Sequence, residues 1–295
     1  MFKTILVCSE GSDSALNAAR TAAAIAGEFG SEVILLNVFD DNLSTLPYLG
    51  VWELGIPQED YRQYVSKAQQ DAEERTGVVF KEAEMPFLPL REIGNPVEII
   101  LRVAERKSAD LIVMGSRGLG GFERLTLGSV SDGIAHHASC PVLIARGHAA
   151  SFRRILLASD GSIEAQQAAS AAFALTKRFG AELTVLNVFE PFGAVATADY
   201  RPDSADAVAE KADRERSLAA VKKSLQGAEK ETGIAYVLHQ ERGHPGKAIV
   251  DYAKLGKFDL VVLGNRGLGG FDRLLLGSVS DAVLHHADSM VLIVR

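Results

Sequence analysis

Two periods alternate along this chain, that of a buried strand and that of an amphipathic helix. Lys3–Cys8 is an almost wholly apolar run, as expected for a strand that is buried on both faces of a sheet. Ser12 then stands where it can cap a helix, and Gly30 stands where a helix commonly ends. Between them, apolar residues recur at helical spacing: Leu16, Ala19, Ala23, Ala26 and Phe29. The pattern predicts a strand followed by a helix that packs on one side.

The same alternation continues to the end of the chain. In the first half it predicts strands at Val33–Phe39, Val78–Ala83, Asp110–Met114 and 140–145, and helices at Gln58–Thr76, from Pro96, and at Ser129–His137. In the second half the later strands are Ala235–Gln240, Asp259–Leu263 and 289–294, and the later helices are Ser204–Thr232, one from Pro245, and Ser278–His286. Strands that alternate with helices predict an α/β fold, a doubly wound parallel sheet with helices on both faces.

The second half of the chain repeats the first. "ILVCSEGSDSALNAA" at 5–19 matches "ILLASDGSIEAQQAA" at 155–169, and "FGSEVILLNVF" at 29–39 matches "FGAELTVLNVF" at 179–189. A period this long indicates a duplicated domain rather than a solenoid. We therefore expect two tandem domains, 1–146 and 153–295, joined by a short linker at 146–152.

Composition narrows the class of protein. The formal net charge of the 295 residues is -7, which argues against nonspecific nucleic-acid binding. No apolar run reaches the roughly 18 residues of a membrane span, and the N-terminus lacks the arrangement of a signal peptide. Cys8 and Cys140 are the only cysteines, so a disulfide framework is not indicated and both thiols are expected to be small buried groups. We expect a cytoplasmic protein.

Two glycine-rich stretches carry the candidate chemistry. "GSRGLGGFERLTLGSVS" at 115–131 and "GNRGLGGFDRLLLGSVS" at 264–280 share the frame Gly-x-x-Gly, nine residues, Gly-Ser-Val-Ser. Each follows the predicted fourth strand of its half, while an acidic turn, "SEGS" at 9–12 or "SDGS" at 159–162, follows the first strand. If the first and fourth strands are neighbours, the two loops of each half face each other across a crevice at the carboxyl edge of the sheet.

The glycine stretch has the parts of a phosphate cradle. Glycines allow a sharp turn and a close approach of the backbone to a ligand. The helix that starts at Gly128-Ser129-Val130-Ser131 offers unpaired N–H groups, which bind anions. The P-loop frame is absent, and the dinucleotide frame fails because Glu123 and Asp272 stand where its last glycine belongs. The alternative is that the glycines only turn the chain and the serines only cap helices. The presence of two matching copies argues against this purely structural interpretation.

The glycine frame after the fourth strand, together with the "SDGS" turn, resembles the nucleotide-binding branch of the universal stress protein family. The resemblance covers essentially the whole chain as a tandem pair. It implies a five-stranded parallel sheet of order 3-2-1-4-5 in each half. It also implies ATP, or another adenine nucleotide, held between the acidic turn and the glycine loop with Mg²⁺ at the phosphates. In that family the fifth strand is used in dimerisation.

The resemblance also assigns roles to positions. The acidic residue, Glu10 or Asp160, is expected at the ribose or near a metal, and Glu10 departs from the usual Asp by one methylene. Val38 and Val188 should bracket the adenine through their backbones, and Met114 and Leu263 should pack near the nucleoside. With the serines of the turns, and with loop arginines that could reach phosphates, the candidate residues of the first site are Ser9, Glu10, Val38, Met114, Gly115, Arg117, Gly118, Gly128, Ser129, Val130 and Ser131. Those of the second are Ser159, Asp160, Val188, Leu263, Gly264, Arg266, Gly267, Gly277, Ser278, Val279 and Ser280.

Catalytic and metal-ligating constellations are not indicated. No Ser/His/Asp or Cys/His arrangement emerges from the spacing, and the pairs His136-His137 and His285-His286 would point in different directions on a helix. The favoured hypothesis is an ATP-binding sensor or regulator of the stress response. A weak ATPase or self-phosphorylating enzyme and a ligand-free tandem scaffold are the alternatives. The expected partners are an adenine nucleotide and the other half of the chain, in an internal pseudo-dimer, with a homodimer as a further option and the protein partner unknown.

Cleavage of the linker tests the internal pseudo-dimer. The fifth strands "CPVLIAR" and "SMVLIVR" are short apolar edge segments, and pairing removes the liability of a bare edge. We therefore expect that after insertion of a protease site within 146–152, and complete cleavage, the two halves still co-elute in size-exclusion chromatography at micromolar concentration. An uncleaved sample of the same variant is the control. Halves that elute separately would contradict the pairing.

Overall fold

The computed structural model describes residues 1–40, 57–118, 127–147, 152–190, 205–265 and 276–295. The chain divides into two compact units, Met1–Ala150 and Ser151–Arg295, and the division lies within the linker expected from the sequence. Among the helices of the described ranges, none combines the length and the apolar character needed to cross a membrane.

The first unit is a five-stranded parallel sheet wrapped by four helices. In chain order its elements are β1 (Thr4–Cys8), α1 (Asp13–Phe29), β2 (Glu32–Phe39), α2 (Gln58–Glu82), β3 (Phe87–Ile93), α3 (Pro96–Arg106), β4 (Leu111–Gly115), α4 (Ser129–His137) and β5 (Val142–Ala145). The strands lie in the order β3-β2-β1-β4-β5, and every pairing is parallel. The chain moves outward from β1 in one direction and then returns to continue in the other, the pattern of a doubly wound sheet.

The second unit repeats this topology. Its elements are β6 (Arg154–Ala158), α5 (Ile163–Phe179), β7 (Glu182–Phe189), α6 (Ala205–Thr232), β8 (Val237–Arg242), α7 (Pro245–Leu255), β9 (Leu260–Gly264), α8 (Ser278–His286) and β10 (Met290–Val294). Its strand order is β8-β7-β6-β9-β10, again with parallel pairings. The predicted α/β class and the strand order 3-2-1-4-5 are therefore confirmed in both units.

The third strand of the first unit was placed wrongly by the sequence pattern. Val78–Ala83 was expected to be this strand, but α2 continues to Glu82 and β3 is Phe87–Ile93. Phe80 is fully buried while Val78 is 46% exposed, which is the one-sided burial of a helix. Pro89 makes the true strand hard to recognise from the sequence, because proline has no N–H to donate to a sheet. It is tolerated here because β3 lies at the sheet edge. In the second unit β8 overlaps the expected segment and is displaced by two residues.

Small residues bring the first helix of each unit very close to the sheet. The face of α1 that points to the sheet is lined by fully buried alanines, among them Ala15, Ala18, Ala19 and Ala22. At its N-terminus, a methyl group placed on Gly115 would lie 2.8 Å from the carbonyl carbon of Ser14. Gly264 stands in the same relation to the carbonyl carbon of Glu164, also at 2.8 Å. Only glycine fits at the last position of β4 and of β9 without moving the helix.

Two alanine substitutions with opposite expected effects test this close approach. Gly115→Ala forces the backbone of α1 away from β4 and should lower the free energy of unfolding by about 1–3 kcal/mol, as other overpacked sites do. Gly27→Ala, within α1, meets nothing nearer than Met85 Cε at 4.0 Å. It should raise stability by about 0.5–1 kcal/mol because alanine favours a helix. Urea denaturation followed by circular dichroism measures both. Equal stability of Gly115→Ala and the parent protein would contradict the packing argument.

Candidate functional site

The acidic turn and the glycine loop of the first unit leave the same edge of the sheet. β1 and β4 are neighbours, with Cys8 paired to Met114, so the turn after β1 and the loop after β4 leave the sheet side by side. A methyl group on Gly118 would lie 3.9 Å from Glu10 Oε1, so the carboxylate of the turn faces the backbone of the glycine loop. In the second unit β6 and β9 are likewise neighbours. The carboxyl edge of each sheet thus brings together the two segments that the sequence singled out.

The turn after β1 is held by a set of short polar contacts. Ser9 is buried, its Oγ accepts from the N–H of Gly11 at 3.1 Å, and it shares a 2.6 Å hydrogen bond with Thr76 Oγ1 of α2. Gly11 has φ of 83°, a left-handed conformation, and a side chain there would press against Ala72 of α2. The Ser12 hydroxyl donates to Glu10 Oε1, which keeps the carboxylate next to its own turn.

The corresponding turn of the second unit is closed differently. Asp160 Oδ1 accepts from the backbone N–H of Ser162 at 2.9 Å, so the shorter carboxylate folds back on its own backbone. Gly161 N–H reaches Ser159 Oγ at 3.3 Å, and a methyl group on Gly161 would lie 2.8 Å from the carbonyl carbon of Ala220 in α6. Both turns are therefore rigid and packed under the long helix. They differ in where the carboxylate is fixed.

Hydrogen bonds close each glycine loop at its base. Gly128 N–H donates to the carbonyl of Ser116 at 2.8 Å, and Gly277 N–H donates to that of Asn265 at 2.7 Å. The hydroxyls of Ser131 and Ser280 are buried and donate to the carbonyls of Gly115 and Gly264 at 2.8 and 2.7 Å. The sequence analysis placed both serines among the candidate site residues, but in the structure their hydroxyls fasten the helix to the end of the strand.

The helices that follow the glycine loops start without a side-chain cap. The first N–H groups of a helix have no acceptor within it. Ser12 and Ser162 cap α1 and α5 with their side chains, whereas α4 and α8 begin after Gly128 and Gly277, and no capping side chain is found for either among the described residues. The first N–H groups of each helix, at its positive end, therefore have no side-chain acceptor among the described residues.

Two buried asparagines were missed by the sequence analysis. Asn37 and Asn187 lie near the ends of β2 and β7 and are 7% and 1% exposed. Their side-chain amides donate to the carbonyls of Ser9 and Ser159 at 2.8 and 3.0 Å, directly below the acidic turns. The signal that could have identified them is the polar residue in the repeated segment "LNVF", which is otherwise apolar.

The remaining candidate residues lie at the same edge. Val38 and Val188 are two residues beyond the last pairs of β2 with β1 and of β7 with β6, level with the turns, and Met114 and Leu263 are buried near the ends of β4 and β9. Arg117 is partly buried at the start of the loop, and the backbone of residues 129–130 and 278–279 forms the first turns of α4 and α8. Arg266 and Gly267 lie outside the described residues.

The cysteine nearest the site is not suited to chemistry. Cys8 precedes Ser9 on β1, and burial, with a smaller contribution from the nearby Glu10 carboxylate, raises the pKa of its thiol far above its usual range. A thiol that stays protonated is a poor nucleophile and a poor metal ligand. Burial of Cys8 agrees with the expectation from the sequence, whereas Cys140 is only partly buried.

The histidine pairs have local partners. His136 Nδ1 lies 2.9 Å from the carbonyl of Asp132 and 3.4 Å from its carboxylate, one turn earlier on α4. His285 and Asp281 repeat this pair on α8 at 2.9 and 3.3 Å. Each is an interaction of residues four apart on one helix, at the end where a positive charge is favourable.

Comparison with known proteins gives consistent matches over the whole chain. The model of the family described as "Universal stress protein family" matches residues 1–146 and 151–295. A universal stress protein of Mycobacterium bovis is 31% identical over 259 residues, which are 85% of this chain and 81% of the relative. One from Mycolicibacterium smegmatis is 36% identical over 194 residues, 64% of this chain and 63% of the relative, so the match spans less than two thirds of that protein.

A solved structure reproduces the fold. The crystal structure of a universal stress protein from Archaeoglobus fulgidus superposes with a TM-score of 0.68 and covers 100% of this chain and 99% of its own. Its sequence identity is 23%, so this likeness concerns the fold alone.

Proposed function

The chain belongs to the universal stress protein family, and from that membership and the geometry of its two crevices we propose that it binds an adenine nucleotide, ATP, in each half. Binding would make it a nucleotide-dependent sensor or regulator in the stress response. The observation that carries the proposal is the pair of helices, α4 and α8, that begin uncapped at a glycine opposite an acidic turn. A single helix that begins in this way could belong to a simple turn. Its recurrence in both units, with the same glycine frame, favours a role in ligand binding.

The phosphates would lie on the glycine loop and the helix N-terminus. Gly128 has φ of -71° and ψ of 148°, values open to any residue, so its backbone conformation does not require a glycine. A Ser, Asp or Asn at that position would cap the helix and stabilise it. Glycine instead leaves the N–H groups of Ser129, Val130 and Ser131 free of a competing side chain. Glycine at this position stabilises the helix less than a capping residue would, but it leaves these N–H groups available to a bound anion.

A divalent cation fits the charge of the site. Glu10 is held next to the glycine loop, where a triphosphate would bring like charges together. Attraction to Mg²⁺ offsets this repulsion, and carboxylate and phosphate oxygens are the ligands that Mg²⁺ takes. Glu10 in the first site and Asp160 in the second are the residues that would contact the cation or the ribose.

The nucleoside would lie over the strand ends. Val38 and Val188 lie beyond the last pairs with β1 and β6 but are still paired with β3 and β8, so only the edge of the strand that faces away from β3 or β8 is available to the adenine. Met114 and Leu263 present apolar surface beside the turns. A pocket with an apolar floor and a few polar groups is typical of small-molecule sites.

Two rival functions remain testable. A ligand-free scaffold would explain the glycine loops as simple turns, but it gives no reason for the same frame of glycine loop and glycine-initiated helix to recur in both units next to an acidic turn. A weak ATPase would need a base aimed at water and a cation aimed at the developing charge. Glu10 and Asp160 are the carboxylates that could act as the base, but each is held in the turn where it is proposed to contact the cation or the ribose. The geometry therefore favours binding over catalysis.

Substitution of the helix-initiating glycines tests the phosphate cradle. In Gly128→Asp and Gly277→Asp the new carboxylate would cap the helix, take the N–H groups and repel phosphate. A methyl group on Gly128 meets nothing closer than 3.5 Å, so the fold should be retained. We expect each single variant to lose one ATP site and the double variant to lose both, as measured by calorimetric stoichiometry.

The matched control is alanine at the same positions. Gly128→Ala and Gly277→Ala keep the N–H groups uncapped and add no charge, so ATP binding should persist in both. If the double Asp variant binds ATP as the parent does, the cradle assignment is wrong. If no nucleotide binds to the parent protein, the scaffold hypothesis replaces the proposal.

ATP turnover is expected to be very slow. Backbone N–H groups stabilise the ground state and the transition state alike, which does not accelerate the chemical step. The rate should lie well below the ~1–100 s⁻¹ of kinases. Phosphate release by the parent protein is compared with Glu10→Ala and Asp160→Ala. A parent rate above about one per second that disappears in either variant would make this protein an enzyme.

A further inference from the structure

We propose that Asn187 is a positioning residue of the second nucleotide site and that Asn37 is the corresponding residue of the first. Each asparagine would hold the acidic turn of its unit in the position that binds the ligand. The inference rests on the proposed function and assigns to these asparagines a role in affinity that is separate from folding. Neither side chain needs to touch the nucleotide. Each acts through the carbonyl of the serine that begins its turn.

The amide orientation is fixed by chemistry. A carbonyl oxygen can only accept, so the group of Asn187 that faces the Ser159 carbonyl at 3.0 Å must be the Nδ2 donor. The same holds for Asn37 and the Ser9 carbonyl at 2.8 Å. Both contacts join the end of one strand to the turn that follows its neighbour, because β2 pairs with β1 and β7 pairs with β6.

The other end of Asn187 is fixed as well. Its Oδ1 accepts from Ser217 Oγ of α6 at 3.1 Å and from Gln240 Nε2 of β8 at 2.8 Å. Gln240 is in turn bonded to Arg214, whose Nε donates to Gln240 Oε1 at 2.7 Å. Asn187 therefore connects the turn, the long helix and the edge strand, and its side chain cannot rotate without breaking several hydrogen bonds.

The burial of Asn187 indicates that an apolar residue at this position would stabilise the sheet more. Asn187 is 1% exposed in a strand whose other inward positions are apolar. Burying an amide costs free energy unless all its hydrogen bonds are made, whereas a leucine, which is larger but branched in the same way, would gain from burial. The asparagine is explained if the turn must be held by a donor. Val188, the residue proposed at the adenine, follows Asn187 in the chain. This one segment would therefore position both the adenine base and the acidic turn.

Asn187→Asp tests this role through its pH dependence. In its ionised form the new side chain places a carboxylate oxygen against the Ser159 carbonyl and repels the turn, whereas in its protonated form it again offers a donor and an acceptor. The test is made in the Gly128→Asp background, where only the second site remains. Near pH 8, the addition of Asn187→Asp should weaken the binding of ATP with Mg²⁺ about tenfold relative to Gly128→Asp alone. Near pH 5 the deficit should shrink to about threefold or less, because burial raises the pKa of the introduced carboxyl toward that range.

Three controls separate positioning from structure. Asn187→Leu cannot donate at any pH, so its deficit should not change with pH. Asn17→Asp alters an amide that also donates to a backbone carbonyl, that of Gly147 at 2.8 Å, but lies outside the site and should bind as its background does. Each affinity is compared with the background at the same pH, so that effects of pH on the background protein and on the nucleotide itself cancel. Asn37→Asp in the Gly277→Asp background repeats the test in the first unit if the Asn187 variant does not fold.

The outcomes are distinct. A pH-dependent deficit in Asn187→Asp with a constant deficit in Asn187→Leu supports the inference. Equal binding by Asn187→Asp and its background, or a deficit that pH does not change, overturns it and leaves the proposed function standing. Absence of ATP binding in the parent protein overturns both.

Discussion

The contact between the first helix and the fourth strand sets the geometry on which the site depends. Because Gly115 has no side chain, α1 packs with the backbone of Ser14 almost against the end of β4, and Gly264 does the same for α5. The turn that leads into α1 is thereby pressed beside the loop that leaves β4. The acidic turn and the glycine loop are therefore close together: a methyl group on Gly118 would lie 3.9 Å from Glu10 Oε1.

Once the crevice is fixed, hydrogen bonds to backbone atoms hold its walls. The loop is closed at its base by Gly128, the helix is tied to the strand by Ser131, and the turn is held from below by Asn37. These polar groups bind to the protein's own backbone, and under the proposed function the N–H groups at the start of α4 are the donors that a ligand would use. The same division of labour is found in the second unit.

The two sites have diverged within this common frame. Thr76 bonds to the serine of the first turn, whereas the residue at the corresponding point of α6, Ser224, donates to the carbonyl of Val221 in its own helix. The second unit instead bonds Asn187 to Ser217 and Gln240. Duplication has kept the backbone of the cradle and changed how each turn is supported. Under the proposed function, the two sites would differ in affinity while sharing their mode of binding.

The sequence by itself determined the repeat, the alternation of strands and helices, and the glycine frame, because the first two depend on patterns along the chain and the third is visible in the residues themselves. It also identified the acidic turns and the uncapped helix starts. It failed for β3, where the edge position of Pro89 and the one-sided burial of α2 are decided by neighbours far along the chain. Tertiary structure alone decided which hydroxyls hold the protein together, as with Ser131, and revealed Asn37 and Asn187 under the turns. A hydrogen bond between residues 28 positions apart leaves no periodic trace in the sequence.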